Sequence, residues 1–513
     1  MDVLIVGGGI GGLSAAIGLA ARGARVTLLE QNERVGGKLN RWEQDGFTFD
    51  TGPHVLTMLW ALDEVFQAAG QRLKDVLDLV RLDTVCRYHF EDGATLDAPA
   101  DPEDAACAIA RFAPGDETGF RRFLAYAHDV SEATTDPFLR QDFGAQIHGI
   151  PTPAQWGQLK GFLALKPWRS LRDVVRAHFS DPRLRQIFEL YALYSGSHPA
   201  RVSGIFATVA DVQWRQGTYY VRGGLYRLAE ALREAAEGLG VSIQTNTAVT
   251  EIIVKGGRAC GVAVQNGERL YADAVVCNAD CLQALTTLVP AAARRTWTAG
   301  RVAKIEPSTS AFLLLMGIRG TYPQLAHHNS FLARNGEREF AAIFDQSRPA
   351  EDPTVGVACQ SVTDPTQAPP GCSNLFVMTN PPALSKAFDW HTEALRYRDL
   401  VLAKLERMGL TGLRDRILVE QTWTPLDLQR RYGAYRGSIY GLSSNGWRQG
   451  FLRPPQVSPD VRGLYFVGGS THPGGGVPLC ALSGTNAAKR IAGDFNAGVD
   501  SRCLPQQSAS KSS

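Results

Sequence analysis

The chain has 513 residues, 44% of them hydrophobic and 20% charged. That is a globular composition; it excludes a largely disordered chain and, at roughly 150 residues per domain, allows about three units or one large interleaved fold. Lys plus Arg number 53 against 51 Asp plus Glu, leaving +2, so no global basic field marks a nucleic-acid binder.

The chain opens with strand, glycine turn and helix. Val3 to Val6 is a short apolar run, read as a buried parallel strand, and Ser14 to Arg22 carries helix formers. Val26 to Glu30 is a second strand, so the start is a βαβ unit. The stretch Val3 to Ala21 is free of charge, but Gly7, Gly8, Gly9, Gly11 and Gly12 would break a membrane-spanning helix, and no basic segment precedes it as in a signal peptide. Helical spacing returns over 59–79, 104–130 and 173–194, the last with Ser170 as N-cap and Asp173 closing an acidic capping box. A helix over 227–238 precedes strands at 241–244, 249–254, 260–265 and 274–277. Residues 305–385 read as β-rich, 392–408 as helix, 463–467 as a last buried strand and 483–495 as a terminal helix. The polar tail 498–513 reads as a disordered end. The nine cysteines are odd in number, scattered and without a C-x-x-C pair, which fits a reducing cytoplasm better than a disulfide scaffold or zinc ribbon.

Gly7-Gly8-Gly9-Ile10-Gly11-Gly12 satisfies G-x-G-x-x-G between a strand and a helix. Gly7 permits the tight turn, Gly9 lets backbone approach a pyrophosphate, and Gly12 lets helix and strand pack closely. The helix N-terminus offers free N–H groups and partial positive charge to the phosphate. Glu30, at the end of the next strand, is placed to accept from a ribose hydroxyl. Arg34-Val35-Gly36-Gly37-Lys38 follows at once. Its glycines bring more backbone close to a longer cofactor, and Arg34 can reach phosphate or ribose oxygens.

These segments, with Asp50-Thr51-Gly52-Pro53, resemble the flavin amine oxidase superfamily. Gly463-Leu464-Tyr465-Phe466-Val467-Gly468-Gly469-Ser470-Thr471-His472-Pro473-Gly474-Gly475-Gly476-Val477-Pro478 resembles the signature of bacterial-type carotenoid (phytoene) desaturases. Asn278-Ala279-Asp280, Asp364-Pro365 and Tyr220-Val221-Arg222-Gly223-Gly224-Leu225 resemble further stretches of that family. Thr57-Met58-Leu59-Trp60 stands closer to its 1-hydroxycarotenoid 3,4-desaturase branch, and His54 stands where a small hydroxyl residue is common.

The resemblance implies an α/β flavoprotein: a discontinuous Rossmann-type FAD-binding domain of glutathione-reductase and amine-oxidase kind, interleaved with an α+β substrate domain. The expected FAD-binding segments are 1–85, 222–300 and 436–497; the expected substrate segments are 86–221 and 301–435. The cofactor is expected to touch Gly7, Gly9, Gly12, Glu30, Arg34, Gly37, Lys38, Gly52, Pro53, Val249, Gly469, Ser470, Gly476 and Val477. Backbone amides at Gly469 and Ser470 would meet the ribityl chain and pyrophosphate. Those at 472–477 would face the pyrimidine edge of the flavin, which becomes anionic on reduction.

No nucleophile motif and no metal-ligand pattern stands out. The family's reaction needs none: a polyene stabilises its own cation, flavin takes the hydride, and the protein positions the substrate and excludes water. His54 is a weak candidate for the proton acceptor, while Asp50 reads as a cap or buttress. The expected reaction is FAD-dependent desaturation of an acyclic carotenoid such as phytoene, neurosporene or a 1-hydroxycarotenoid. A carotenoid isomerase or saturase, a terminal oxygenase, a flavin oxidase of another substrate and a non-catalytic carrier remain as alternatives. A lipophilic polyene and a membrane surface are the expected partners, with quinone or dioxygen as final acceptor, at the cytoplasmic face of the cell membrane. Trp156, Leu159, Phe162, Leu163, Leu165 and Trp168, beside Lys160, Lys166, Arg169 and Arg172, suit interfacial insertion.

Overall fold

The computed structural model describes residues 1–140, 166–451 and 453–496. Of the expected membrane-facing cluster, only Lys166, Trp168, Arg169 and Arg172 lie within them; the rest, and the tail, lie outside.

The opening βαβ unit becomes the centre of a five-stranded parallel sheet. Its order is Leu464–Phe466, Ala274–Cys277, Asp2–Val6, Arg25–Leu29 and Ser242–Gln244. Ala274, Val275, Val276 and Cys277 are all buried, as a parallel strand covered on both faces requires. The helix Ile10–Ala20 covers one face and is buried along almost its whole length. It packs on the helix Val477–Asn496 so closely that a Cβ on Gly484 would collide with the Gly11 carbonyl oxygen. The charge-free stretch is therefore a core helix. Among the described residues no helix is long and apolar enough to cross a membrane.

A seven-stranded sheet forms the second layer. Its order is Ile417–Trp423, Phe312–Arg319, Cys372–Thr379, Val355–Ala358, His328–Phe331, Thr84–His89 and Thr95–Pro99. All neighbours are antiparallel except His328–Phe331 on Thr84–His89. A two-stranded ladder of Leu79–Arg81 and Tyr219–Val221 ties early chain to late.

Several helices are shorter than their periodicity predicts, and the breaker is visible each time. Residues 59–79 give Leu59–Ala68 and Leu73–Val76, parted at Gly70 with φ +73°. Residues 104–130 give Pro102–Phe112 and Glu117–Thr134, parted near Gly115 at φ +100°. The third run splits into Leu171–His178 and Pro182–Glu189, the latter restarted by Asp181 as N-cap and Pro182. Ser170 and Asp173 do form the capping box. The terminal helix starts at Val477, well before residue 483, because Pro478 sits in its first turn, where no N–H is needed.

Candidate functional site

Three distant pieces of chain close on the first glycine turn. Gly7 holds φ +98°, and a Cβ on Gly12 would collide with the Gly7 carbonyl oxygen, so helix and strand approach only as glycines. Asn278 wedges into this turn: its Nδ2 donates to the Gly7 carbonyl at 3.3 Å. A Cβ on Gly9 would lie 2.7 Å from the Asn278 Nδ2, and one on Gly11 2.8 Å from the Gly468 nitrogen.

Glu30 is buried beneath the turn. Its Oε2 accepts from the Gly8 N–H at 2.7 Å, and its Oε1 accepts from the Asn32 N–H at 2.9 Å and the Asn32 Nδ2 at 2.8 Å. A carboxylate offers about four lone-pair positions, so one stays free for a ribose hydroxyl. The next loop is stitched on by the Gly36 N–H, which donates to the Gly8 carbonyl at 2.7 Å. Gly37 follows at φ +62°. Lys38 Nζ donates to the Ile439 carbonyl at 2.6 Å. Burial lowers the Lys38 pKa and raises that of Asp280, while each draws the other toward its charged form. A Cβ on Gly52 would strike the Lys38 carbonyl, which brings the Thr51–His54 loop to the same place. From the other side, the Ser470 hydroxyl accepts from the Cys281 N–H at 2.7 Å. Gly476, at φ +114°, opens onto free space immediately before the helix that Val477 begins.

These segments line one cavity of about 1230 Å³, larger than the ~300–1,000 Å³ typical of a single small ligand. Gly7, Gly9, Glu30, Gly37, Lys38, Gly52, Pro53, His54, Val249, Gly469, Ser470, Gly476 and Val477 all line it. Gly12 does not; its place is behind the turn. Arg34 does not either: its side chain turns to the surface and pairs with Glu33 at 3.3 Å. The residues present fit a dinucleotide on two counts: the side-chain-free cradle with a helix start above it, and the acid at its far edge with one acceptor position left free. The remaining wall is mostly apolar, with Val85, Tyr194, Phe206, Leu313, Phe376 and Met378 among its members. Trp168, two-thirds exposed at 66%, lines it as well.

A polar group interrupts this wall. His54 Nδ1 and His328 Nε2 are 3.1 Å apart. His327 follows, with its Nδ1 2.7 Å from the Thr363 hydroxyl. Burial lowers His54 to about 4 and His327 to about 3. His328 lies well below the usual histidine value, through burial and then its two histidine neighbours. All three are neutral near pH 7.

Asp50 faces away from the cavity. It caps the helix Tyr226–Gly238, accepting from the Leu225 N–H at 2.8 Å and the Tyr226 N–H at 3.1 Å, and it also accepts from Gln360. Burial raises its pKa to about 6. Asp364 accepts from the Gly223 N–H at 2.7 Å. The loops at 50–53, 223–224 and 364–367 thus meet behind the site and hold it in shape. Sequence reasoning weighs His327 and His328 only as an improbable metal site, and it misses Gln360 and Arg453, the latter also lining the cavity; no spacing could have joined them to the site. His54 and His328 are 274 positions apart, and Asp50 and Gln360 are 310.

A profile of the family described as flavin containing amine oxidoreductase matches residues 10–492. A 4,4'-diapolycopene oxygenase from Methylomonas sp is 38% identical over 499 residues, covering 96% of this chain and 98% of that protein. A 4,4'-diaponeurosporene oxygenase from Staphylococcus aureus is 32% identical over 493 residues, covering 95% and 97%. Among solved structures, an oxidoreductase from Methanosarcina mazei superposes with a TM-score of 0.65 at 18% identity, covering 95% of this chain and 100% of that one.

Proposed function

This chain belongs to the flavin containing amine oxidoreductase family, and from that premise we propose that it oxidises a long acyclic carotenoid at its chain end. FAD is its cofactor. The observation that carries the reading is the named pair of relatives, 38% and 32% identical along nearly the whole of each chain. By their names, one is an oxygenase of 4,4'-diapolycopene and the other of 4,4'-diaponeurosporene. The large apolar cavity, continuous with the dinucleotide cradle, agrees with a hydrocarbon of that kind.

In this reading Gly7, Gly9, Glu30, Gly37, Lys38, Gly469, Ser470 and Gly476 hold the cofactor, and Val249 borders its adenine side. Arg34 would act only from the surface. The segments 1–85, 222–300 and 436–497 serve the cofactor, and 86–221 with 301–435 serve the polyene. Bound FAD supplies an acceptor for the electron pair and hydrogen that leave the substrate. The chain's own residues do the rest. The apolar wall orients the polyene and keeps water out. His54, engaged through Nδ1 by His328, presents its Nε2 to hold the departing proton. With Nδ1–H donating to His328, the neutral imidazole keeps a free lone pair on Nε2 to accept that proton. Trp168 at the cavity wall, with Lys166 and Arg169 beside it, serves docking on the cytoplasmic face of a membrane, where the pigment resides. The oxygen atom gained at the chain end comes from dioxygen or from a single water admitted to the reacting carbon, whose proton His54 takes, and dioxygen or a quinone takes the electrons onward.

Desaturation is the second reading, favoured by the likeness of residues 463–478 to carotenoid desaturases. One experiment separates the two. The FAD-loaded protein is incubated in liposomes with diapolycopene, diaponeurosporene, neurosporene or phytoene, and the products are separated and weighed by mass spectrometry. Gain of oxygen at a chain end supports oxygenation, and labelled dioxygen identifies the source of the atom. Loss of hydrogen pairs with a red shift and no added oxygen establishes desaturation instead. Unchanged pigments with fully flavinylated protein would reject a carotenoid substrate.

A further inference from the structure

Two of the protein's inward-facing cations sit against carboxylates. Lys404 Nζ lies 2.7 Å from Asp352, and Arg172 lies 2.9 Å from Glu189. Arg453 is handled differently. It is 8% exposed, yet it makes no ion pair among the described residues. Its Nη1 donates to the Ser444 hydroxyl at 3.2 Å, and its Nη2 donates to the Tyr440 and Leu442 carbonyls at 3.3 Å each. All three acceptors are neutral. Its Nε is buried with no hydrogen-bond partner. Burial lowers its pKa to about 10, and Cys480 and Asp280 act on it only at longer range. A buried charge of this kind is costly unless something compensates it.

Its location sharpens the problem. A Cβ on Gly474 would lie 3.7 Å from Arg453 Nη1. The guanidinium therefore sits on the loop that leads into the 20-residue helix Val477–Asn496. A helix N-terminus carries about half a positive charge and favours anions, so a guanidinium there is repelled. Arg453, Gly474, Gly476 and Val477 all line the cavity. Two positive groups thus converge on one region of the cavity, and among the described residues Arg453 forms no ion pair there; Asp280, which also lines the cavity, acts on it only at longer range and is itself drawn to Lys38. The cofactor's pyrophosphate has another seat, the start of the helix Ile10–Ala20. The convergence at Arg453 therefore serves a different negative charge.

We propose that Arg453, together with the start of the helix Val477–Asn496, stabilises the negative charge that the flavin ring acquires on reduction. The inference rests on the FAD reading above. A hydride leaving a substrate C–H bond brings two electrons and one proton to the ring, which then holds one net negative charge. A fixed guanidinium favours that form over the neutral oxidised ring and raises the midpoint potential. The substrate then loses hydride more readily, which suits a chain acting on a hydrocarbon that carries no heteroatom beside the reacting carbon.

The test uses the FAD-loaded full chain and the variants Arg453→Met and Arg453→Lys. FAD content and visible circular dichroism come first. Wild-type protein without bound FAD would refute the cofactor reading itself, separately from this proposal. With FAD in place, midpoint potentials are measured by dye-equilibrated reduction. Sulfite, which adds to the oxidised ring and leaves it anionic, is titrated through the bleaching of the flavin band. R453M is expected to bind sulfite at least about tenfold more weakly. Its potential should fall by about 30 mV for each tenfold loss of preference for the reduced ring. R453K should lie between, and it carries the comparison if R453M does not fold. Unchanged potential and sulfite affinity in a flavin-replete variant would overturn the proposal. So would loss of FAD affinity with a normal potential in the flavin retained, because Arg453 would then be a phosphate anchor.

Discussion

Gly12 shows how little freedom the site leaves. Any side chain there meets the Gly7 carbonyl, so Gly12→Ala must push the helix off its strand and deform the cradle. We expect G12A to lose FAD affinity at least tenfold and to melt several degrees lower, read by flavin release and thermal denaturation. The histidines give a second expectation at this scale. His54, His327 and His328 are depressed to about 4, about 3 and lower in the folded chain, against ~6.5 when unfolded. The unfolded state therefore binds more protons below pH ~6.5. Their stability contribution is full above that value and is lost as pH falls toward about 4. Asp50, raised to about 6, has the opposite sign: its contribution is lost as pH rises through that value. Asp280 and Glu339, also raised by burial, side with Asp50, but His198, lowered to about 4, and His89 and His178, also lowered, join the three histidines and outnumber them, so denaturant unfolding should show net destabilisation on acidification, with a shallower slope in His54→Phe. Flat stability between pH 7 and 5 would contradict it. The turn at Gly7, Gly9 and Gly12 and the place of Glu30 beneath it were legible in the sequence because that geometry is set within one short stretch of chain. Arg34 stands outside the cavity lining, because a loop arginine can turn either way and here it pairs with its neighbour Glu33. Arg453 was invisible, because its meaning lies in what surrounds it after folding.

At the scale of elements, periodicity located the apolar faces and misjudged where helices stop. Gly70, Gly115 and Pro182 stood in plain view, but apolar spacing runs through each of them, and only the left-handed backbone at the two glycines reveals a true break. Pro478 misled in the other direction: it reads as loop until the helix is seen to begin one residue before it. The capping box at Ser170 was readable because it is wholly local, with the Ser170 Oγ accepting from the Asp173 N–H at 3.1 Å. Ser170→Ala should cost about 1 kcal/mol, measured by chemical denaturation. An unchanged midpoint would mean that this helix end is held by its tertiary contacts instead.

At the scale of the whole molecule, each large sheet is assembled from strands far apart in sequence. The five-stranded sheet takes its edge strand Leu464–Phe466 and its covering helix from the chain's last tenth. A chain truncated after residue 460 should therefore form neither the sheet edge nor the second half of the cofactor cradle. We expect insoluble protein without bound flavin; soluble, yellow truncated protein would refute the interdependence. Strand identity was mostly readable from short apolar runs such as Ala274–Cys277. The order of strands was not, because nothing local makes Leu464–Phe466 the neighbour of Ala274–Cys277.

The continuity of the cavity imposes an order of assembly. Cofactor cradle and apolar gallery form one volume, so no partition among the described residues divides them, and seated FAD would become a wall of the substrate's chamber. A chain emptied of FAD lacks that wall, and a polyene sliding into it can settle across the cradle itself. FAD must then arrive first. Once a long pigment is seated, the pigment in turn bars the way out for the flavin. The emptied chain should accept pigment in a misplaced, unreactive pose that slows later FAD uptake. Pigment added after FAD should slow flavin release, and stopped-flow mixing in the two orders would reveal the asymmetry.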